Sequence, residues 1–353
     1  PVPGRAPGLR ESASCHPPSW NRPPGPSPVV VASAGRSLRS MQPDAGSPPP
    51  TADQVPLRDA ATVLVLRDGR EGLEVFMLQR NLNSDFVGGA YVFPGGAVDP
   101  VDRASDLEDV CLGRGDLDAS TRLGIERGGL AFWVAAIRES FEEAGILLAV
   151  DPEGRFVDLD AEAGLDRWAV HRREVDQGRR RLVEVCTEEA LRLAVGEMHY
   201  FGHWITTVGA PRRYDTRFFL AAAPANQTPL HDDREVIANE WVRPIDALHR
   251  CLAGDITMMP PTISSLKAMT RFDTAADALA AATQITSVPA ILPRVVAVDG
   301  GMRIVLPGDP DYHADGAFRT EDRPWMGQVT EAARGITEST PSYTAPATTG
   351  AAT

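Results

Sequence analysis

Three glutamates, Glu139, Glu142 and Glu143, lie within the run Arg138–Ile146, RESFEEAGI. On a helix, residues three and four apart share a face, so Glu139 meets both of the others there. Like charges so placed repel by roughly a few tenths of a kcal/mol per exposed pair. A hard divalent cation, which takes carboxylate oxygens as ligands, offsets that repulsion directly. Arg138 stands four residues before Glu142 and can hold its carboxylate. Gly145 supplies the left-handed residue that ends such a helix. A solvated acidic helix face is the ordinary alternative, and the sequence upstream weighs against it. Pro94-Gly95-Gly96 follows the short apolar run Ala90–Phe93. Glycines in such a turn let main-chain groups approach a phosphate or a metal with no Cβ in the way.

Taken together, the two segments resemble the Nudix box, G-x5-E-x7-R-E-U-x-E-E-x-G-U, with U a bulky aliphatic residue. Gly96 aligns with its first glycine, and Arg138, Glu139, Glu142, Glu143, Gly145 and Ile146 with its second half. The pattern departs at three places. Asp102 stands where the first Glu falls, and Ser140 replaces an aliphatic residue. The Arg stands at 138 instead of 110, so 28 extra residues split the box. A split box with FPGG ahead and RESFEEAG behind resembles the peroxisomal coenzyme A diphosphatase branch of the family. Val75–Asp99 and His203–Leu220 are similar to that branch as well, and the resemblance runs from about Ala60 to Phe272.

The resemblance implies an α/β fold, the Nudix α/β/α sandwich with a mixed sheet. It also implies a metal-dependent pyrophosphohydrolase, cleaving a nucleoside diphosphate linked to another group by water attack at one phosphorus. Mg2+ or Mn2+ held by Glu139, Glu142 and Glu143 would neutralise the phosphate oxygens and orient the water. Glu139 and Glu143 are the principal expected ligands, Glu142 is shared or bridging, and the Gly96 carbonyl completes the shell. Arg138 and Glu139 are the expected catalytic residues, and Glu139, Glu235 and Glu240 the candidate bases. For the substrate's phosphates the candidates are Arg80 and the pair Arg212-Arg213. The upstream match is partial, since the branch carries further basic residues and a Gly-Gln pair where Gly89-Ala90 stands here. Coenzyme A or acyl-coenzyme A is the leading substrate, giving 3′,5′-ADP and phosphopantetheine. Alternatives are another dinucleotide such as ADP-ribose, or a non-catalytic nucleotide-sensing module.

Bulk composition narrows the partners. The net charge of −13 argues against nucleic acid as a partner, which needs a basic face. A small anionic nucleotide must then be neutralised locally, by metal and a few arginines. Hydrophobic residues make up 43% of the 353, enough for a sizeable core, and no run reaches the roughly 18 apolar residues of a membrane span. Cys15, Cys111, Cys186 and Cys251 form no C-x-x-C pair, so neither a zinc ribbon nor a disulfide framework is expected, and a reducing cytoplasm is. Lys267 is the only lysine among the 35 Lys and Arg, a bias that makes arginine number alone uninformative.

The elements that must position these groups follow from periodicity. Pro1–Pro56 holds 14 of the 30 prolines and is expected to be disordered. Within it, Pro1–Ser40 precede Met41 and are expected to be upstream translated sequence, an idea that an intact mass including them would end. Residues 57–290 are expected to form the Nudix domain, with insertions at 103–128 and 160–195. Strands are predicted at Ala61–Leu66, Glu74–Arg80, Ala90–Phe93, Tyr200–Thr207, Thr216–Ala222 and Val236–Val242. The box helix is predicted over Gly129–Ala144, and the stretch Arg103–Gly128 as a polar surface loop with room for a short helix. Leu165, Trp168, Val175, Leu182, Val185 and Leu191 suggest a pair of amphipathic helices within Asp160–Val195. The clusters Arg172-Arg173 and Arg179–Arg181 there are read as a solvated face. Helices are predicted over Pro244–Cys251, Pro260–Phe272 and Thr274–Thr283. The first turn at Pro260-Pro261-Thr262 is read as an ordinary helix start, although such an end also attracts anions. Trp204 and Trp241 are read as core. A C-terminal hairpin extension, 291–324, pairs Arg294–Val298 with Arg303–Leu306, and 325–353 are expected to be a disordered tail.

Overall fold

Alternation along one strand decides the architecture. Val63 and Val65 point to one side, Leu64 and Leu66 to the other, and all four are buried. A strand apolar on both faces must be covered on both faces. The computed structural model describes residues 55–82, 88–230, 235–298, 301–309 and 312. The expected disordered N-terminal segment, the Pro1–Ser40 start and the 325–353 tail lie outside the described residues, apart from the last two positions before residue 57.

That strand, β1 (Leu57–Gly69), turns at Gly69↔Gly72 into β2 (Gly72–Arg80). β3 (Tyr91–Val92) pairs with β2, and β4 (Gly95–Ala97) folds back antiparallel onto β1 at Ala60–Thr62. Two 3-10 turns, Pro100–Arg103 and Ser105–Val110, lead to α1 (Asp116–Leu123) and α2 (Leu130–Ala144). After β5 (Ala149–Val150) come α3 (Leu165–Asp176) and α4 (Leu182–Glu188), and then β6 (Arg192–Leu193), which pairs with β5. β7 (His199–Ile205), β8 (Arg213–Ala222) and β9 (Val236–Val242) return to the main sheet. α5 (Pro244–Ala253), α6 (Pro260–Met269), α7 (Ala275–Thr283) and β10 (Ala290–Ile291) follow, and β11 (Arg294–Val298) and β12 (Gly301–Val305) form the hairpin.

The main sheet runs β10-β7-β8-β1-β2-β3, with β4 also on β1 and β9 also on β2. It is mixed: β1 is parallel to β8 and antiparallel to β2, and β7 is antiparallel to β8. α2 covers the face carrying Val63, Val65, Phe76, Leu78 and Phe219, with the Trp133 ring 4.5 Å from that of Phe219. α5, α6 and α7 supply Leu248, Leu266, Met269 and Ala278 against Leu64, Leu66, Val75, Met77, Phe218 and Leu220 on the other face. This is the expected sandwich.

Two expectations change. Residues 103–128 are not a polar surface loop: Leu107, Cys111, Ala119 and Leu123 are buried in the core around α2. Their spacing is too irregular to read as one helix, because 3-10 turns and a short helix share the stretch. Residues 160–195 do form a helix pair, with Trp168, Val175, Leu182 and Val185 buried, but Leu165 opens α3 and is 50% exposed. No helix among the described residues is long and apolar enough to cross a membrane.

Candidate active site

The start of α2 is fixed by side chains from α1, and its end by a left-handed glycine. At its start, the Asp116 carboxylate accepts from the N–H groups of Gly128 and Leu130 at 2.9 and 3.0 Å, and the Ser120 hydroxyl oxygen from Gly129 at 2.9 Å. Helix N-termini leave such donors without intrahelical partners, and here α1 satisfies them. At its end, Gly145 takes φ +68° and donates to the carbonyl of Phe141. Between them the acidic run is held in one register.

Arg138 is the hub of that run. It is 6% exposed, and its guanidinium meets Asp102 through two parallel contacts of 3.0 Å. It donates also to Glu139 and Glu142, each at 2.9 Å, and to the carbonyl of Ala97 at 2.9 Å. Burial lowers its proton affinity, but the surrounding carboxylates outweigh burial and raise it, so it is always charged. The N–H of Asp99 also donates to the Asp102 carboxylate, at 2.8 Å. The shorter carboxylate therefore reaches the arginine because the 3-10 turn Pro100–Arg103 brings it close. The sequence reading placed Arg138 among the catalytic groups. It lines the cleft and holds Glu139 and Glu142 there.

The glycine turn lies directly against the helix. The N–H of Gly95 donates to Glu143 at 3.0 Å. A Cβ on Gly96 would fall 2.4 Å from an oxygen of Glu139, so no other residue fits there without displacing that carboxylate. Thus the 28-residue split leaves the two box halves in contact. Loop closure cost grows slowly with length, and the pairing of β4 with β1 fixes the other end.

These groups line a cavity of about 520 Å³, together with Arg80, Arg212, Glu235, Asp176 and the first turn of α6 at Pro261 and Thr262. Of the candidate cations, the structure thus brings Arg80 and Arg212 to the glutamates but not Arg213. Arg213 opens β8, and its Nε donates to the carbonyl of Thr206 at 3.3 Å. Among the candidate bases, Glu235 borders the cleft and Glu240 does not, being paired with Arg250 at 2.8 Å. Trp204 is buried in the core, and Trp241 packs 5.1 Å from Phe76 beneath the Arg67 guanidinium. The helix start at Pro260 faces the cleft, more than the ordinary reading supposed. The arginine clusters of 172–181 are likewise not a plain solvated face. Arg172 binds the Glu142 carbonyl, and Arg181 pairs with Asp106. Arg172 and Asp116 escaped the sequence reading because their partners lie 30 and 14 residues away, with no motif to flag them.

Burial raises all three glutamates. Against the pull of Arg138, it pushes Glu139 up to about 7 and Glu142 up to about 8, and it holds Glu143 well above the usual carboxylate range. Glu139 and Glu142, which share one arginine, and the buried Glu143 beside them are thus under-neutralised. A hard cation with oxygen ligands fits that donor set. Such an ion would return the carboxylates to their charged form.

The family model for the NUDT19 Nudix domain matches residues 118–269. A crystal structure of a Nudix hydrolase from Alicyclobacillus acidocaldarius aligns with TM-score 0.53 and 29% identity, covering 64% of this chain and 96% of that one. Residues 118–269 of the chain thus match a Nudix domain. Among curated Nudix relatives, the human acyl-coenzyme A diphosphatase NUDT19 is 27% identical over 282 residues, 70% of this chain and 74% of that protein. The Xenopus laevis protein of the same name is 29% identical over 234 residues, 56% of this chain and 60% of its own length. The matched domain begins at 118, inside the split, so Gly96 and Asp102 precede it. Their place in this Nudix site rests on their contacts with Glu139 and Arg138.

Proposed function

We propose that this Nudix protein is a divalent-metal-dependent diphosphatase that hydrolyses coenzyme A or acyl-coenzyme A. The observation carrying the hydrolase reading is the meeting of Glu139, Glu142 and Glu143 with the Gly95-Gly96 turn in one cleft rimmed by Arg80 and Arg212. The coenzyme A assignment rests on likeness to relatives named acyl-coenzyme A diphosphatase. Glu139, Glu142 and Glu143 hold the metal, with Glu139 and Glu143 as principal ligands and the Gly96 carbonyl beside them; Mg2+ or Mn2+ suits these oxygens. When bound, the cation supplies charge neutralisation at the pyrophosphate and lowers the pKa of water.

The chain's own residues do the rest. Arg138 keeps Glu139 and Glu142 aimed into the cleft. Arg80 and Arg212 bind the substrate's phosphates, and the positive end of α6 adds to that field. Glu139 or Glu235 accepts the proton of the attacking water, whose oxygen bonds to phosphorus as the bridging P–O bond breaks. With coenzyme A the products are 3′,5′-ADP and phosphopantetheine. A reducing, cytoplasmic setting agrees with Cys111, Cys186 and Cys251, none of them in a disulfide.

The test is a substrate panel under one metal condition, with products identified by mass. We expect kcat/KM to fall from coenzyme A to dephospho-coenzyme A, by the loss of a charged hydrogen bond of about 1.5–3 kcal/mol at the 3′-phosphate. ADP-ribose turned over best, with no effect of the 3′-phosphate, would replace this reading by a broader pyrophosphohydrolase.

A further inference from the structure

Glu142 and Glu143 occupy the last turn of α2, three and two residues before Gly145 breaks the helix. Last turns fray, because their carbonyls lack intrahelical donors. Here the N–H of Ile146, which would continue the helix, goes to Ser140 at 3.2 Å and leaves the Glu142 carbonyl to another donor. That donor is Arg172 on α3. Its Nε and a terminal nitrogen both bind the Glu142 carbonyl oxygen, at 3.0 and 2.9 Å. Its other nitrogen closes on Gly145, where a Cβ would stand 3.1 Å away. The carbonyl of Ala144, next along, accepts from the N–H of Leu230 at 3.0 Å. A guanidinium at a helix C-terminus also sits where the helix dipole favours a cation. Arg172 does not line the cleft, and neither half of the box motif contains it.

We propose that Arg172 is a positioning residue for the cation site: clasping the Glu142 carbonyl, it fixes the last turn of α2 and so the aim of Glu142 and Glu143. This rests on the metal-holding reading of those glutamates. The helical segment between α2 and β6 then has a task beyond covering the core. It supplies the outer partner that a ligand pair at a helix end needs in order to stay preorganised. Outer partners of this kind typically cost about 10–100-fold in metal affinity or activity when removed.

The experiment titrates Mn2+ into the full chain without substrate, reading free Mn2+ by electron paramagnetic resonance. Wild type, Arg172→Gln and Arg172→Lys are compared, each with a circular dichroism melt. Arg172→Gln should weaken Mn2+ binding about tenfold while keeping the wild-type spectrum at the titration temperature. Arg172→Lys keeps the charge but has no planar fork, so it should recover only a minor part of the loss. Turnover of Arg172→Gln should climb toward the wild-type rate as Mn2+ is raised. A merely stabilising arginine would lower the melting temperature and leave the Mn2+ midpoint unchanged, which would overturn the proposal. Full recovery by lysine would overturn it too, leaving only a charge effect. Should Arg172→Gln fail to fold, the lysine variant decides alone, and wild-type affinity in it counts against the clasp. Wild type that takes up no Mn2+ would instead sink the metal-holding reading itself.

Discussion

Asp102 and Arg138 meet through a two-pronged contact in which the acid is 4% and the base 6% exposed, and the same guanidinium reaches Glu139 and Glu142. Removing the arginine strands the buried Asp102 and the half-buried Glu139 and Glu142 at once. Arg138→Gln should therefore lower unfolding free energy by about 3–5 kcal/mol, the cost of breaking a buried pair on one side; urea titration measures it. Glu143→Gln is the contrasting case. It keeps the shape, removes one charge, and relieves like-charge repulsion, so the fold should persist while turnover drops about 10²–10³-fold. Wild-type turnover of that variant at saturating Mg2+ would refute the ligand assignment. At this scale the acidic run and its arginine were legible in sequence, since helical spacing alone joins Glu139, Glu142 and Glu143. Which of Arg212 and Arg213 faces the cleft was not legible. Neighbouring residues on an extended strand point to opposite sides, and only the position where β8 starts decides between them.

α2 depends on elements that the sequence presents as interruptions. The Asp116 carboxylate, on a segment inserted into the box motif, satisfies two amides at the start of the helix. Asp116→Ala should cost about 0.5–2 kcal/mol, as other lost helix caps do, and a lower melting temperature with an unchanged Mn2+ midpoint would place its effect in stability alone. The strands and helices themselves were largely legible. β9 has its predicted bounds, and α2 starts within one residue of the prediction. Residues 103–128 were misread because 3-10 turns carry no sustained 3.6-residue period, so their buried Leu107 and Cys111 look like strays in a polar stretch.

Across the whole molecule, net charge and the buried acids tie stability to pH and to metal. Glu139 and Glu142 have raised proton affinities, at about 7 and about 8, while in the unfolded chain they titrate near the ordinary 4.5. Between those limits the folded, metal-free protein binds more protons than the unfolded one, so stability falls as pH rises. With EDTA, the melting temperature should decline from pH 5 to pH 8.5. With excess Mg2+ the decline should flatten, since the ion binds the ionised carboxylates and only in the folded state. A melting temperature that rises over that range in EDTA would show that these acids are already charged without metal.

The long parallel pairing of β1 with β8 also sets an order of events during synthesis. Ala60 pairs with Thr216 and Leu66 with Ala222, so one flank of β1 waits for roughly 150 further residues to be made. At about 5–20 residues per second, that is about 8–30 s in which Val63–Leu66 have no partner on that side. The hairpin with β2 and the short return of β4 form from neighbouring sequence, so a ribosome-bound chain can bring Gly96 onto β1 early. The nascent protein therefore passes through a stage with its glycine turn set and a hydrophobic strand edge exposed, the stage at which a chaperone, or aggregation, has its opening.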